Sequence, residues 1–155
     1  MRELRDETLQ PSARVSAVMR KVRVRGTEPE IAVRRMLHSL GFRFRVQPTR
    51  LPGRPDITNL SKRWCIFVHG CFWHGHECKR GSLPKRNQSF WQRKILGNRK
   101  RDALVEQELR SRGFRVLTVW QCELGTEELK QRLIAFVRGG QCWSAYEDGR
   151  VAPRE

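Results

Sequence analysis

The spacing of apolar residues changes from segment to segment, and each change predicts a different element. Residues 12–25 mix small apolar and basic residues and read as a short basic helix or an extended arm. Thr27 then stands in an N-cap position, with Pro29 in the first turn and Glu30 three residues after the cap. Ile31, Met36, Leu37 and Leu40 recur at helical spacing, and Gly41 ends that pattern. Phe42 to Gln47 alternates apolar with polar, which predicts a half-buried strand. Leu51-Pro52-Gly53-Arg54-Pro55 is a turn, and Asp56-Ile57-Thr58 opens a second strand. Trp64 to Val68 is continuously apolar, as suits a central strand buried on both faces. Residues 69–88 show no period and read as irregular. Residues 89–112 predict a long amphipathic helix burying Phe90, Ile95, Leu104, Val105 and Leu109, with Gly113 as terminator. Phe114 to Trp120 is a further strand, and 126–138 a last helix through Leu129, Leu133, Ile134, Phe136 and Val137. The order α-β-β-β-α-β-α predicts an α/β sandwich around a small mixed sheet. It divides the chain into a basic arm (1–26), one domain (27–138) and a tail (139–155) without clear period.

Composition narrows the class. The 155 residues fit a single domain, and five Trp and seven Phe supply a core that a disordered basic tail lacks. No apolar run approaches the ~20 residues that span a bilayer. Met1 to Glu7 lacks the apolar stretch of a signal peptide. An odd number of cysteines, five, argues against a disulfide framework and for a reducing cytoplasm. The formal charge is +16, which calls for an anionic partner, nucleic acid ahead of acidic membrane. Arg14, Arg20, Lys21, Arg23 and Arg25 place part of that charge in the arm, where they would grip a DNA backbone. Residues 51–100 hold eleven basic side chains and only two acidic ones, Asp56 and Glu77. A carboxylate set against so positive a background marks itself out.

Cys71, His76 and Cys78 form C-x4-H-x-C inside the basic loop. Zinc prefers thiolate and imidazole in a tetrahedron, and structural sites take all four ligands from the protein. Cys122 is the best fourth ligand, because it directly follows a strand expected beside Trp64–Val68. Cys65 reads as core, and Cys142 lies in the tail. A loop this poor in apolar residues cannot hold a shape by packing, and a metal can do so. His74 competes with His76 for the ligand role.

Asp56 at the start of one strand and His69 at the end of the next could meet at one edge of the sheet. Glu30 could approach from the first helix, and His74 lies five residues beyond His69. Such a set can bind Mg2+ for phosphodiester hydrolysis, because Mg2+ takes hard oxygen ligands and keeps several waters. An imidazole can then accept a proton from the attacking water. Each residue also has a plainer role: Glu30 in a capping box, Asp56 in a turn, His69 as a structural histidine.

Leu51-Pro52-Gly53-Arg54-Pro55-Asp56 and Ile66-Phe67-Val68-His69-Gly70-Cys71-Phe72-Trp73-His74 resemble the very short patch repair (Vsr) endonucleases. The resemblance continues through Phe90-Trp91, Gly113 to Leu117 and Val119-Trp120-Gln121-Cys122, and spans roughly residues 12 to 138. It implies a restriction-endonuclease-like fold of PD-(D/E)XK type, a three-layer sandwich with a structural zinc. It also implies an enzyme that nicks one strand 5′ to the thymine of a T·G mismatch left by deaminated 5-methylcytosine. By the same resemblance Asp56 is the central Mg2+ ligand, joined by the backbone carbonyl of Val68. Glu30 and His69 hold the metal-water network, and His74 is the general base. Cys71, His76, Cys78 and Cys122 are the zinc ligands. Phe72, Trp73 and Trp91 form an aromatic wedge that enters the duplex. Such a wedge selects a mismatch because an unpaired step is cheaper to unstack. The family further implies a cytoplasmic, nucleoid-associated bacterial monomer working with mismatch-repair factors and a cytosine-5 methyltransferase system. Val68 stands where the family commonly has Thr, and Glu77 has no assigned role. A non-catalytic zinc module that binds nucleic acid, or a nuclease of the same fold with another DNA substrate, are the competing readings. A catalytic zinc hydrolase fits worst, since four protein ligands leave no open position.

Overall fold

The computed structural model describes residues 25–139. Arg14, Arg20, Lys21 and Arg23, most of the arm, nearly all of the tail and Cys142 lie outside the described residues. The elements run α1 (Glu28–Ser39), β1 (Arg45–Val46), β2 (Ile57–Asn59), β3 (Trp64–His69), α2 (Cys71–His74), α3 (Gln88–Ser111), β4 (Arg115–Trp120) and α4 (Glu127–Arg138). The four strands lie in the order β1-β2-β3-β4. The first two pairings are antiparallel, and β3 pairs parallel with β4. A parallel pair needs a long crossover, and α3 is that connection.

Alternation along β3 sorts the two sides of the sheet. Trp64 and Ile66 face a core shared with Ile57, Leu117 and Val119, which α1 covers with Val33 and Leu37 and α4 with Leu129, Leu133, Phe136 and Val137. Cys65 and Phe67 face the other way, against Leu109 and Val105 of α3. The result is three layers, helices on both faces of a mixed sheet. Burial pushes the Cys65 thiol up to about 12, as a core cysteine requires.

Four details depart from the sequence pattern. On α1 the inward positions are Glu30, Val33 and Leu37, while Ile31 is exposed. Val33 and Leu37 are one helical turn apart and face the sheet, and Ile31 turns away from that stripe. On α3 Leu104 is 66% exposed, because the sheet takes only the face carrying Val105 and Leu109. The Phe42–Gln47 strand shortens to Arg45–Val46, and Gln47 carries a positive φ of 45°. Within the loop at 69–88 there is order: the one-turn helix α2 and a 3-10 turn at Lys79–Gly81. No helix among the described residues is long and apolar enough to cross a membrane.

Candidate active site and metal centre

Strands β3 and β4 are in register so that His69 lies beside Trp120, the last residue of each. The chains leaving those two ends therefore start side by side, and ligand sites in α/β sheets form outside strand carboxyl ends for this reason. A cleft of about 830 Å³ opens there, lined among others by Glu30, Asp56, Val68, His69, Trp73 and His74.

Asp56 sits one residue before β2. Its N–H donates to the Ile66 carbonyl (3.1 Å), which extends the β2–β3 ladder, and its Oδ2 accepts from the Val68 N–H at 2.8 Å. The turn before it is pressed onto α3: Gly53 has a φ of +67°, and a Cβ there would meet Val105 at 2.3 Å. Burial raises the Asp56 carboxyl to about 6, against the pull of the Val68 N–H, with Glu30 nearby adding to the rise. A half-buried carboxylate whose loss of hydration its neighbours do not offset, beside the Val68 peptide, fits a site for a hard divalent cation. Those two residues would hold it.

Glu30 is both cap and cleft wall. Its carboxylate accepts from the backbone N–H groups of Gly26 (3.0 Å) and Thr27 (3.3 Å) and from the Thr27 hydroxyl (2.9 Å). Arg34 (2.8 Å) and Gln47 (3.3 Å) donate to it as well. The capping role and a place in the cleft coexist, although its oxygens are already heavily engaged. Arg25, the one of the five basic arm residues that the structure describes, is exposed and lines the same cleft.

The two histidines of the cleft stack, ring centroids 3.7 Å apart and 8° from parallel. His74 Nδ1 lies 2.5 Å from Asp102 Oδ2 on α3. Burial, then the neighbouring His74, drives His69 down to about 3, so it is neutral at physiological pH. Burial tends to raise Asp102, but the His74 hydrogen bond and the imidazoles outweigh that and hold it below the usual carboxylate range. His69, His74 and Asp102 thus form a constellation in which a carboxylate orients an imidazole.

Sequence reasoning missed Asp102. A signal existed: it is the first carboxylate after Glu77, at the end of a run of basic residues. It escaped because half the site is contributed by a helix distant in sequence from β3.

His76, not His74, joins the cysteines. The ligand atoms of Cys71, His76, Cys78 and Cys122 all lie within 4.8 Å of one another, and Cys122 Sγ is 3.4 Å from His76 Nδ1. Tetrahedral zinc with thiolate and imidazole ligands needs separations of about 3.5–4 Å. The four cysteines among the described residues are all free thiols. His76 holds Cys78 at about 6, while burial and the neighbouring sulfurs push Cys122 up to about 12. Three thiols cannot ionise together without a cation, so this donor set fits a bound metal.

Trp120 is the wall between the two centres. It stacks on His76 (4.4 Å, 25°) and meets His69 edge-on at 5.4 Å.

The aromatics form one cluster that reaches the cleft through Trp73. Phe72 and Trp73 are half-buried and lie 5.2 Å apart at 81°. Trp91 is buried beneath them, 5.0 Å from Phe72 and 6.1 Å from Trp73, with Phe90 at 5.1 Å. Phe72 and Trp73 are therefore the reachable edge and Trp91 the floor.

The sequence profile of the family described as DNA mismatch endonuclease Vsr matches residues 7–80. The chain is 53% identical over 107 residues to the type II nicking enzyme V.XorIIP of Xanthomonas oryzae, covering 69% of this chain and 79% of that enzyme. It is 44% identical over 124 residues to the type II nicking enzyme V.NmeAIP of Neisseria meningitidis, covering 79% and 89%. It is 43% identical over 112 residues to the DNA mismatch endonuclease Vsr of Escherichia coli, covering 72% of each chain.

Proposed function

Because the chain belongs to the Vsr family of DNA mismatch endonucleases and is an endodeoxyribonuclease, we propose that it nicks one strand of duplex DNA 5′ to the thymine of a T·G mismatch, with Mg2+ as cofactor. One observation carries this reading: α2 places Phe72, Trp73 and His74 on consecutive residues, with Trp73 and His74 lining the cleft that holds Asp56 and Phe72 packed edge-on against Trp73. A side chain pair suited to prying open a weak base step is thus joined directly to a proton acceptor. The nicking relatives support a single-strand cut.

Asp56 and the Val68 carbonyl would hold Mg2+, which supplies charge stabilisation to a phosphate and acidifies bound water. His74, oriented by Asp102, takes the proton from the attacking water. Neutral His69 fixes the plane of His74 by stacking and offers a hydrogen bond within the cleft. Arg25, Arg54, Lys94 and Arg101 line the cleft and attract the backbone. Cys71, His76, Cys78 and Cys122 hold a structural zinc that keeps the loop in place. The three layers and a carboxylate at the entry to a strand support a restriction-endonuclease-like fold. The reading carries with it a cytoplasmic monomer that follows a cytosine-5 methyltransferase and works beside mismatch-repair factors.

A non-catalytic binding module would leave Asp56, His69, His74 and Asp102 without a role. The test is a nicking assay on T·G and T·A duplexes, with and without Mg2+. A single nick in the T·G duplex with Mg2+ only is expected, and Asp56→Ala abolishes it while DNA binding persists. Equal cutting of both duplexes would assign the protein a different DNA substrate.

A further inference from the structure

Helix α2 is a single turn, too short to hold its own carbonyls. Its end is a left-handed Gly75 (φ +66°), whose N–H bonds the Phe72 carbonyl while the His76 N–H bonds that of Cys71. The three carbonyls that follow find partners on α3. Asn98 Nδ2 donates to Trp73 (2.7 Å), Arg99 Nε donates to His74 (3.1 Å), and Arg99 Nη2 donates to Gly75. The fit is tight: a Cβ on Gly75 would lie 2.5 Å from Ile95 Cγ2 and 3.2 Å from Arg99 Nε. Gly75 is the single residue between His74, which faces the cleft, and His76, which faces the zinc ligands. One guanidinium fork therefore grips the peptide link between the two centres.

We propose that Arg99 is a positioning residue for His74: its fork fixes the main chain at His74 and Gly75, while Asp102, one turn further along α3, fixes the ring. The imidazole is then held at both ends by one helix. Because Phe72 and Trp73 precede His74 in the same turn, the same grip makes the aromatic pair and the imidazole move as one body. This rests on the proposed role of His74 as proton acceptor. Arg99 lies on a basic helix and is exposed, so the alternative is an ordinary phosphate contact. The two roles part on Arg99→Lys. Lysine keeps the charge but cannot bond two successive carbonyls from a planar fork.

The experiment compares wild type, Arg99→Lys and Arg99→Ala on a T·G duplex at saturating protein, with zinc content measured for each. Both variants are expected to lose about tenfold or more in single-turnover rate, with Arg99→Lys keeping wild-type DNA affinity and one zinc per chain. A wild-type rate in Arg99→Lys, with weaker binding and a shallower salt dependence in Arg99→Ala, would assign a phosphate contact and overturn the proposal. Loss of zinc together with rate in Arg99→Lys would overturn it too, since the residue would then hold the whole loop. A second readout needs no turnover: the Nδ1–H proton of His74, bonded to Asp102, is observed by nitrogen-edited NMR. It is expected to shift or broaden in Arg99→Lys, and an unchanged signal counts against the proposal. A wild-type protein that leaves the T·G duplex intact overturns the proposed substrate instead, and the NMR signal then decides the role of Arg99 by itself.

Discussion

Asp56 shows how one side chain is shaped by conflicting demands. Its ordinary value is 3.8, and burial lifts it to about 6 in the folded protein. Between those values the folded chain keeps a proton that the unfolded chain has released. Without metal, stability therefore falls as pH rises from about 4 to 6, and the loss persists above that. Asp56→Asn removes the penalty. In EDTA at about pH 7.5 the variant is expected to melt higher than wild type, and the gap to close near about pH 4. Added Mg2+ should raise the wild-type melting temperature and leave Asp56→Asn unmoved. Equal responses to Mg2+ would remove Asp56 from the metal site. His69 acts in the opposite sense: folded near 3 against an ordinary 6.5, it costs stability as pH falls. That contribution is common to both proteins and cancels in the comparison. Asp56 was legible in the sequence because it stands against the charge of its surroundings. Asp102 was not, because its meaning depends on a contact across 28 residues of sequence.

At the scale of elements, the strands and helices were largely legible and their faces only partly so. Periodicity located α1 and its buried Leu37, but the pattern also includes Ile31, and packing against a sheet takes Val33 in its place. On α3 nothing in the local spacing separates Leu104 from Val105, and only the position of the sheet does. The loop after β3 is the clearest case. Its residues lack the apolar content to fold alone; what orders it is the cluster of Cys71, His76, Cys78 and Cys122, proposed as the zinc ligands, and the Asn98 and Arg99 hydrogen bonds from α3. Cys78→Ser is expected to abolish zinc by elemental analysis and to lower Tm by more than about 10 °C, as loss of a structural metal does in a small domain. Full metal content in that variant would exclude Cys78 from the cluster.

At the scale of the molecule, the charge of +16 becomes directional. Arg25, Arg54, Lys94 and Arg101 converge on the cleft from α1's entry, the turn before β2 and α3. If each meets a phosphate, log affinity for duplex DNA should fall against log salt with a slope of about −3.5 or steeper. A slope shallower than about −1 would show that the cleft is not where the backbone runs. The proposed function puts DNA over the carboxyl ends of β3 and β4, and the salt slope tests that placement.

The sequence by itself carried most of the elements, their order, the thiol and imidazole residues that cluster, and the positive charge that calls for an anionic partner. Periodicity, turn chemistry and charge are local properties, and a chain carries them before it folds. Spacing favoured His76 over His74 only weakly, because both lie within a few residues of Cys71 and Cys78, and the tertiary structure is what groups His76 with the cysteines and His74 with His69 and Asp102. The left-handed turn at Gly75 sends one toward Asp102 and the other toward Cys122. Those two partners lie on α3 and beyond β4, and the parallel pairing of β3 with β4 brings them to the same end of the sheet.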